Sequence, residues 1–329
     1  MTQPTSINMT FDTSLVDLSA NPNPNPNPTD ANLSFSTTES DPSDAGAIPI
    51  PIQHIPTLDT YNQWAPIYDT DGNMLQSIDD DELSTLLPSF LDTVLASTNI
   101  PSTPRAPPPS KPHILDLGCG TGRNMAKVLQ YEAFRGVGGV RVTGMDFSEE
   151  MLSVAEGKLG AGDEDEKGSG VRYTLIKTNC FPSIDDTIPN PSPNPSPKPK
   201  LPDYLPPITA LLSTLVLEHI PLPSFFATLA ALLAPGAYAL VTNMHAEMGR
   251  VSQAGFVNAE GVKVRGESFV YELEDVLGEA RRCGFEVLEV RERGVRREDV
   301  EGGVVGGRGR KWVGVRVWFG VVLRKMGVE

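Results

Sequence analysis

The stretch from His113 to Asn124, His-Ile-Leu-Asp-Leu-Gly-Cys-Gly-Thr-Gly-Arg-Asn, restricts the folds open to this chain more than any other. Ile114, Leu115 and Leu117 form a short apolar run of the kind that makes a parallel strand covered on both faces. Gly118, Gly120 and Gly122 follow at once. Glycines at this density let the backbone turn tightly and approach a ligand that a side chain would displace. A helix is expected from about Arg123, and its free amides and dipole favour a negative group lying in the loop.

The spacing is Gly-x-Gly-x-Gly, whereas a nicotinamide or flavin loop places its third glycine one residue later. Asp116, two residues before the first glycine, puts a carboxylate near the strand end, where it can hold a ligand ammonium directly or through water. An ammonium beside a carboxylate means an amino acid. Together these residues resemble the first motif of the class I S-adenosylmethionine-dependent methyltransferases of the small-molecule type, whose loop cradles the methionine end of the cofactor. Two further segments carry the same resemblance. Val140–Met145 reads as a second strand ending in Asp146, 24 residues beyond Gly122, in position to take both ribose hydroxyls of an adenosine. Asp146-Phe147-Ser148-Glu149-Glu150-Met151-Leu152 is similar to the Asp-x-Ser-x-x-Met-Leu of the family, with Ser148 capping the next helix and Met151 packing toward the adenine.

Composition sets the frame around this core. The 329 residues are 39% hydrophobic and carry a net charge of −15. No Lys or Arg precedes Arg105, while residues 1–104 hold 14 acids; the remainder holds 28 acids against 27 bases. An acidic front and a neutral remainder disfavour nucleic acid as an obligatory substrate. No run of 18 apolar residues is present. The first 50 residues lack the Arg of a mitochondrial presequence and the basic start of a secretory signal. Cys119, Cys180 and Cys283 are widely spaced and fit no zinc pattern, so no metal is expected. The expected location is the cytosol, with the nucleus open.

Residues 1–56, rich in Asn, Pro, Ser, Thr and Asp, are expected to be a disordered acidic tail. Residues 57–110 read as a helical cap followed by a Pro-rich linker. Tyr61, Trp64, Ala65 and Tyr68 recur at helical spacing until Pro66 interrupts, and Leu83, Leu86, Leu87, Phe90, Leu91, Val94 and Leu95 form a second stripe despite Pro88. The first segment either simply packs on the core or, as its resemblance to Tyr-x-x-Trp-Ala-x-x-Tyr-Asp implies, closes over the cofactor, which makes Tyr61 and Tyr68 candidate pocket residues.

The core is expected over residues 111–329, with a helix to about Phe134 and a third strand over Val171–Lys177. A Pro-rich insertion without helix or strand, carrying ten prolines, is expected at 182–207. Ile208–Leu212 then reads as a strand, Phe225–Leu233 as a helix, and Pro235-Gly236 as a turn into a strand over Ala237–Asn243. Tyr271–Cys283 reads as a helix and Phe285–Val290 as a strand. An alternating strand over Val313–Leu323 closes the sheet, its basic neighbours belonging to a solvated edge hairpin. The resemblance implies a doubly wound α/β fold: a seven-stranded, mostly parallel sheet with helices on both faces and its last strand antiparallel.

The resemblance also implies which residues meet S-adenosylmethionine. They are Asp116, Gly118, Cys119, Gly120 and Gly122 in the loop; Asp146, Phe147 and Met151 after the second strand; Asn179 and Cys180 after the third; and Ser213 at the fourth. Asn179 stands where the family usually has an Asp to accept from the adenine amino group. Methyl transfer from a sulfonium relies on in-line positioning and exclusion of water, so no catalytic triad is required. Two histidines are candidate proton acceptors. His219, in the segment Leu217-Glu218-His219-Ile220, reads as a histidine bonded to backbone beneath the cofactor. His245, just past the fifth strand, is either a general base for a small-molecule acceptor or a loop residue capping the strand end. A catalytically inactive cofactor-binding module and a nicotinamide-dependent reductase remain as alternatives, the second disfavoured by the glycine spacing.

Overall fold

A computed structural model describes residues 51–98, 111–160, 170–181, 199–202 and 205–327. The tail over 1–50, the linker from 99 to 110 and most of the Pro-rich insertion lie outside the described residues. The main sheet holds seven strands: β2 (His113–Leu117), β3 (Val140–Asp146), β4 (Val171–Lys177), β5 (Ile208–Thr214), β6 (Leu233–Met244), β9 (Phe285–Gly294) and β10 (Arg316–Lys325). Their order is β4-β3-β2-β5-β6-β10-β9, with β10 antiparallel to both its neighbours and the β4-to-β6 pairs parallel. The chain leaves β2 toward β3 on one side and returns to β5 on the other. That reversal opens a crevice beyond the carboxyl ends of β2 and β5, where doubly wound sheets bind ligands.

Each inner strand feeds two cores, because successive side chains point to opposite faces. Ile114, Leu212 and Leu240 join one cluster, packed under α2 (Met74–Thr98) and α3 (Arg123–Leu129). Leu115, Leu211, Ala239 and Val241 join the other, packed under α5 (Leu222–Leu232) and α7 (Leu273–Arg282). The stripe Leu83, Leu86, Leu87, Phe90, Leu91, Val94 and Leu95 is buried along α2, which continues through Pro88. Each such side chain contributes roughly 1.5–3 kcal/mol.

Several expectations need correction. Residues 52–54, assigned to the disordered tail, form strand β1 (Ile52–His54), which pairs in parallel with β8 (Lys263–Arg265). With β7 (Gly255–Val257) these make a separate three-stranded sheet that sequence reading missed. α3 stops at Leu129 instead of reaching Phe134, because Tyr131 turns to an extended conformation and its hydroxyl bonds Asp92 of α2. The turn at Pro235-Gly236 is taken up as an irregularity inside β6, where Ile208 faces Leu233 but Ala210 faces Tyr238. β10 is not an alternating edge strand. It lies inside the sheet with both faces covered, Trp318 and Phe319 both fully buried, and β9 forms the edge. Its Arg293 is buried too, and it meets Glu82 at 2.9 Å and Asp299 at 2.6 Å.

A buried ion pair fixes the cap to the core. Asp79 of α2, fully buried, accepts from Arg123 at 2.5 Å, from Thr242 Oγ1 of β6 at 2.6 Å and from Trp318 Nε1 of β10 at 2.8 Å. Arg123 opens the helix after the glycine loop and also meets Asp80 at 2.6 Å. Removing Arg123 leaves the Asp79 carboxylate buried without a counter-charge. Arg123→Ala should therefore cost about 3–5 kcal/mol of unfolding free energy. Asp80→Ala, at a position whose side chain is 44% exposed, should cost less than about 1 kcal/mol. Urea denaturation of both variants measures the difference, and equal small losses would contradict this account.

Candidate functional site

The glycine loop is held from below and shaped by three different demands. The amides of Gly118 and Cys119 both donate to Met145 O, at 2.7 and 3.0 Å, which ties the end of β2 to β3. Gly118 has φ +76°, and a Cβ there would lie 2.3 Å from Val216 Cγ2. Gly122, at φ +75°, packs closely on α4 (Glu149–Leu159): a Cβ there would lie 3.1 Å from Ala155 Cβ and 3.2 Å from Leu159 Cδ1. Gly120 is different: at φ +52° it has nothing within 4 Å of the Cβ position, so the loop is open on that side. Val216 is aimed over Gly118 by Leu215, whose φ of +57° is the one positive value outside glycine among the described residues. Such a conformation costs about 1–2 kcal/mol and marks the mouth of the crevice.

Asp146 closes β3 as the sequence suggests, and its carboxylate organises the loop. Oδ2 accepts from Gly120 N at 2.9 Å and Oδ1 from Ser148 N at 2.8 Å. Ser148 caps α4 by accepting from Met151 N at 3.1 Å. A cavity of about 310 Å³ lies over this platform. Of the candidate residues, Gly118, Gly120, Asp146, Phe147, Met151, Asn179, Cys180, Tyr61 and Tyr68 line it. Asn179 Oδ1 already accepts from Phe181 N at 3.1 Å, so it has one lone pair left for an amino group.

Four candidates stand behind the wall instead. Cys119, Gly122 and Ser213 do not line the cavity, and Ser213 Oγ donates to Leu117 O at 3.0 Å, bracing β2. Asp116 also lies off the wall, 1% exposed, with both carboxylate oxygens buried and unpartnered. Its carboxylate therefore has no surface on the cavity. The cause is register: Asp116 sits one residue before the last of β2, beneath the loop and not in it. Burial pushes its carboxyl up to about 7, against the opposing pull of the Arg123 guanidinium.

The cap closes the cavity. α1 (Thr57–Trp64) and the turn Ala65–Ile67 after it lie across the mouth, anchored where Thr121 donates to Asp69 at 2.7 Å and Ser148 to Asn62 at 2.7 Å. Tyr61 faces Phe147 across the mouth, ring centres 6.4 Å apart. Its hydroxyl is 2.7 Å from His219 Nε2, while His219 Nδ1 is 2.6 Å from Glu267 O. A carbonyl only accepts, so Nδ1 carries the ring proton and Tyr61 donates to Nε2. Burial lowers His219 to about 4, which keeps it neutral, and the expected backbone-bonded histidine is found. Sequence reading gave no sign of its second bond, to Tyr61, because the partners are 158 residues apart.

A second cavity of about 450 Å³ adjoins the first, and Tyr61, Tyr68 and Leu215 line both. Its walls are aromatic and sulfur-bearing: Trp64 stacked on Phe256 at 5.5 Å, Trp312, and Met74, Met244 and Met248. Glu218, Lys263, Arg308 and Lys311 add charge. Burial lowers Lys263 to about 8, with Arg265 and Lys311 pushing the same way. Phe256 and Lys263 went unrecognised in the sequence because the three-residue strands β7 and β8 that carry them are too short to show a period.

His245 lines neither cavity and caps the chain at the strand end, the second of its two readings. Its side chain is 6% exposed. Nδ1 accepts from Glu247 N at 3.1 Å, so the proton sits on Nε2, which meets Glu292 Oε1 at 2.9 Å. Nδ1 thus caps the chain where it leaves β6, and Nε2 ties it to β9.

The raised Asp116 gives a pH test. Between its ordinary 3.8 and about 7 the folded protein holds a proton that the unfolded chain has released. The stability from this group is complete below the unfolded value and is lost as pH rises through 7. Denaturation of the ligand-free protein from pH 4 to 9 should show this fall, and Asp116→Asn should make it shallower, leaving the part that the buried Glu218, pushed up to about 8, adds in the same direction. Identical pH curves for the two proteins would contradict the burial.

Residues 92–290 match the model of a family described as methyltransferase domain. An uncharacterized methyltransferase of Emericella nidulans is 43% identical over 284 residues, spanning 82% of this chain and 91% of that protein. Among solved structures, an S-adenosylmethionine-dependent methyltransferase from Mesorhizobium loti superposes with a TM-score of 0.42 at 18% identity, over 66% of this chain and 92% of that one. Magnesium protoporphyrin IX methyltransferase from Synechocystis, with its cofactor bound, gives 0.44 at 15% identity, over 82% and 94%. On the family match and the fungal relative, this chain belongs to the S-adenosylmethionine-dependent methyltransferases.

Proposed function

We propose that the chain transfers the methyl group of S-adenosylmethionine, bound in the 310 Å³ cavity, to a small-molecule acceptor held in the 450 Å³ cavity beside it. The observation that carries this reading is the shared wall of Tyr61, Tyr68 and Leu215. Two compartments that meet at one wall can bring a methyl donor and a nucleophile into line while the cap excludes water, and alignment alone supplies up to roughly 7–11 kcal/mol of barrier lowering.

The residues of the first cavity suit the cofactor. The open side of Gly120 admits the methionine end, and the buried, unpartnered oxygens of Asp116 can take its ammonium through a water. Asp146 faces the ribose hydroxyls, Phe147 and Met151 flank the adenine, and Asn179 accepts from its amino group. The cofactor supplies an electrophilic methyl on sulfur; the chain supplies orientation and a dry site. The mixed aromatic and methionine walls of the second cavity favour a compact, largely apolar acceptor, and the net charge of −15 argues against a polynucleotide. Cytosolic residence belongs to the same reading, supported by three free cysteines.

Asp146 gives the sharpest test. Asp146→Ala should weaken S-adenosylmethionine binding by about 2–4 kcal/mol, from two lost charge-assisted hydrogen bonds and a loosened Gly120 amide. Titration calorimetry on the folded variant measures this, and unchanged affinity would remove Asp146 from the site. For the acceptor, enlarging a side chain on the second cavity alone, as in Ala254→Phe, should leave cofactor affinity within about twofold, on the order of 0.4 kcal/mol, while abolishing transfer. Full turnover in that variant would place the acceptor elsewhere.

A further inference from the structure

We propose that Glu218 accepts the proton released by the acceptor's nucleophile, and hence that the acceptor presents a hydroxyl or an amine to the methyl group. The proposal rests on the second cavity being the acceptor site. Glu218 lies in the turn Leu217–His219 just beyond β5 and lines that cavity but not the cofactor cavity. Its backbone is pinned from both sides: its amide donates to Asn243 Oδ1 at 3.1 Å and its carbonyl accepts from Phe269 N at 2.6 Å. The side chain is therefore held in place, 4% exposed, by bonds that leave the carboxyl itself free.

That freedom is the unusual feature. Glu218 Oε2 is buried without a hydrogen-bond partner. Oε1 lies 3.6 Å from His219 Nε2, too far for a hydrogen bond, and the lone pair of that nitrogen is taken by the Tyr61 hydroxyl. A carboxylate oxygen buried without a partner destabilises the fold, so its place on a cavity wall points to a ligand that completes it. Burial also pushes Glu218 up to about 8, into the range where a general base works near neutral pH. The titratable groups around it are Tyr61 and Tyr68 of the cap and His219 beside it in the chain. Asp71, Lys263, Arg308 and Lys311 line the same cavity.

A lone pair on the acceptor oxygen or nitrogen forms the new bond to the methyl carbon, and the carbon–sulfur bond breaks with its electron pair staying on sulfur. S-adenosylhomocysteine leaves neutral at sulfur. The proton on the nucleophile passes to the Glu218 carboxylate, which returns it to solvent after the product departs. His219 and Tyr61 are positioning residues here, since their mutual bond denies Glu218 an internal partner.

The test is Glu218→Gln, which keeps the shape and removes the base. Three readouts are compared with wild type: calorimetric S-adenosylmethionine affinity; labelled methyl transfer to a panel of catechols, hydroxybenzoates, anilines and phenethylamine over pH 6 to 10; and carbon NMR titration of labelled glutamate. The expected result is cofactor affinity within twofold and turnover lower by about 10² or more. The wild-type profile should rise with pH through a limb near 8 that the variant lacks, and one glutamate signal titrating near 8 should vanish in the variant. Undiminished transfer in the variant, matching pH profiles, a Glu218 signal titrating with the exposed glutamates, or a wild type that binds cofactor but methylates no phenol or amine would each overturn the proposal. Loss of cofactor binding in wild type would instead count against the reading of the first cavity, and calorimetry reads that separately.

Discussion

The contact between Arg123 and Asp79 is the joint on which this structure depends. One partner begins the helix that follows the glycine loop; the other sits fully buried in the long cap helix α2. Asp79 also takes hydrogen bonds from Thr242 on β6 and Trp318 on β10, so a single carboxylate ties the cap, the loop helix and two central strands together. A bare buried ion pair is often neutral for stability, because desolvation offsets attraction. Here the added donors satisfy the carboxylate, and the gain is in geometry: the cap has one register relative to the loop. A second tier repeats the logic nearer the ligand, with Asp69 receiving Thr121 of the loop and Lys158 of α4.

Function follows from where that fixed cap puts its aromatic side chains. Tyr61 and Tyr68 stand between the two cavities and are shared by both, so the roof over one compartment is the partition of the next. Methyl transfer needs little acid or base chemistry, which shifts the burden to alignment and dryness. The neutral His219, held between Tyr61 and the Glu267 carbonyl, serves alignment by fixing the tyrosine hydroxyl. The small sheet of β1, β8 and β7 backs the cap from outside, with Trp64, Phe256 and Val264 as its core.

What was legible in the sequence had local signals. The run Leu115 to Gly122 predicts strand, loop and helix from adjacent residues. Asp146 and Ser148 follow from strand-end and capping chemistry, and the structure confirms that Ser148 caps α4. The rest depended on contacts between distant residues. Asp116 looked like a ligand contact because the motif puts it beside the glycines, yet strand register drops it beneath the loop. His245 looked free because nothing in its neighbourhood demanded an imidazole; its partner Glu292 is 47 residues away on β9. Glu218 carries no local signal of its own, since nothing in Leu217-Glu218-His219-Ile220 marks the glutamate as buried. The second cavity was illegible for the same reason, being assembled from the cap, the end of β6, the small sheet and the turn before β10.

The central claim is that methyl donor and acceptor meet at the wall of Tyr61, Tyr68 and Leu215. A crystal structure with S-adenosylhomocysteine tests it most directly. The account predicts the adenosine along Asp146, Phe147 and Asn179, and the sulfur at that wall with its methyl-bearing side open to the second cavity. A sulfur turned toward solvent, or closed off from the second cavity by the two tyrosines, would contradict it.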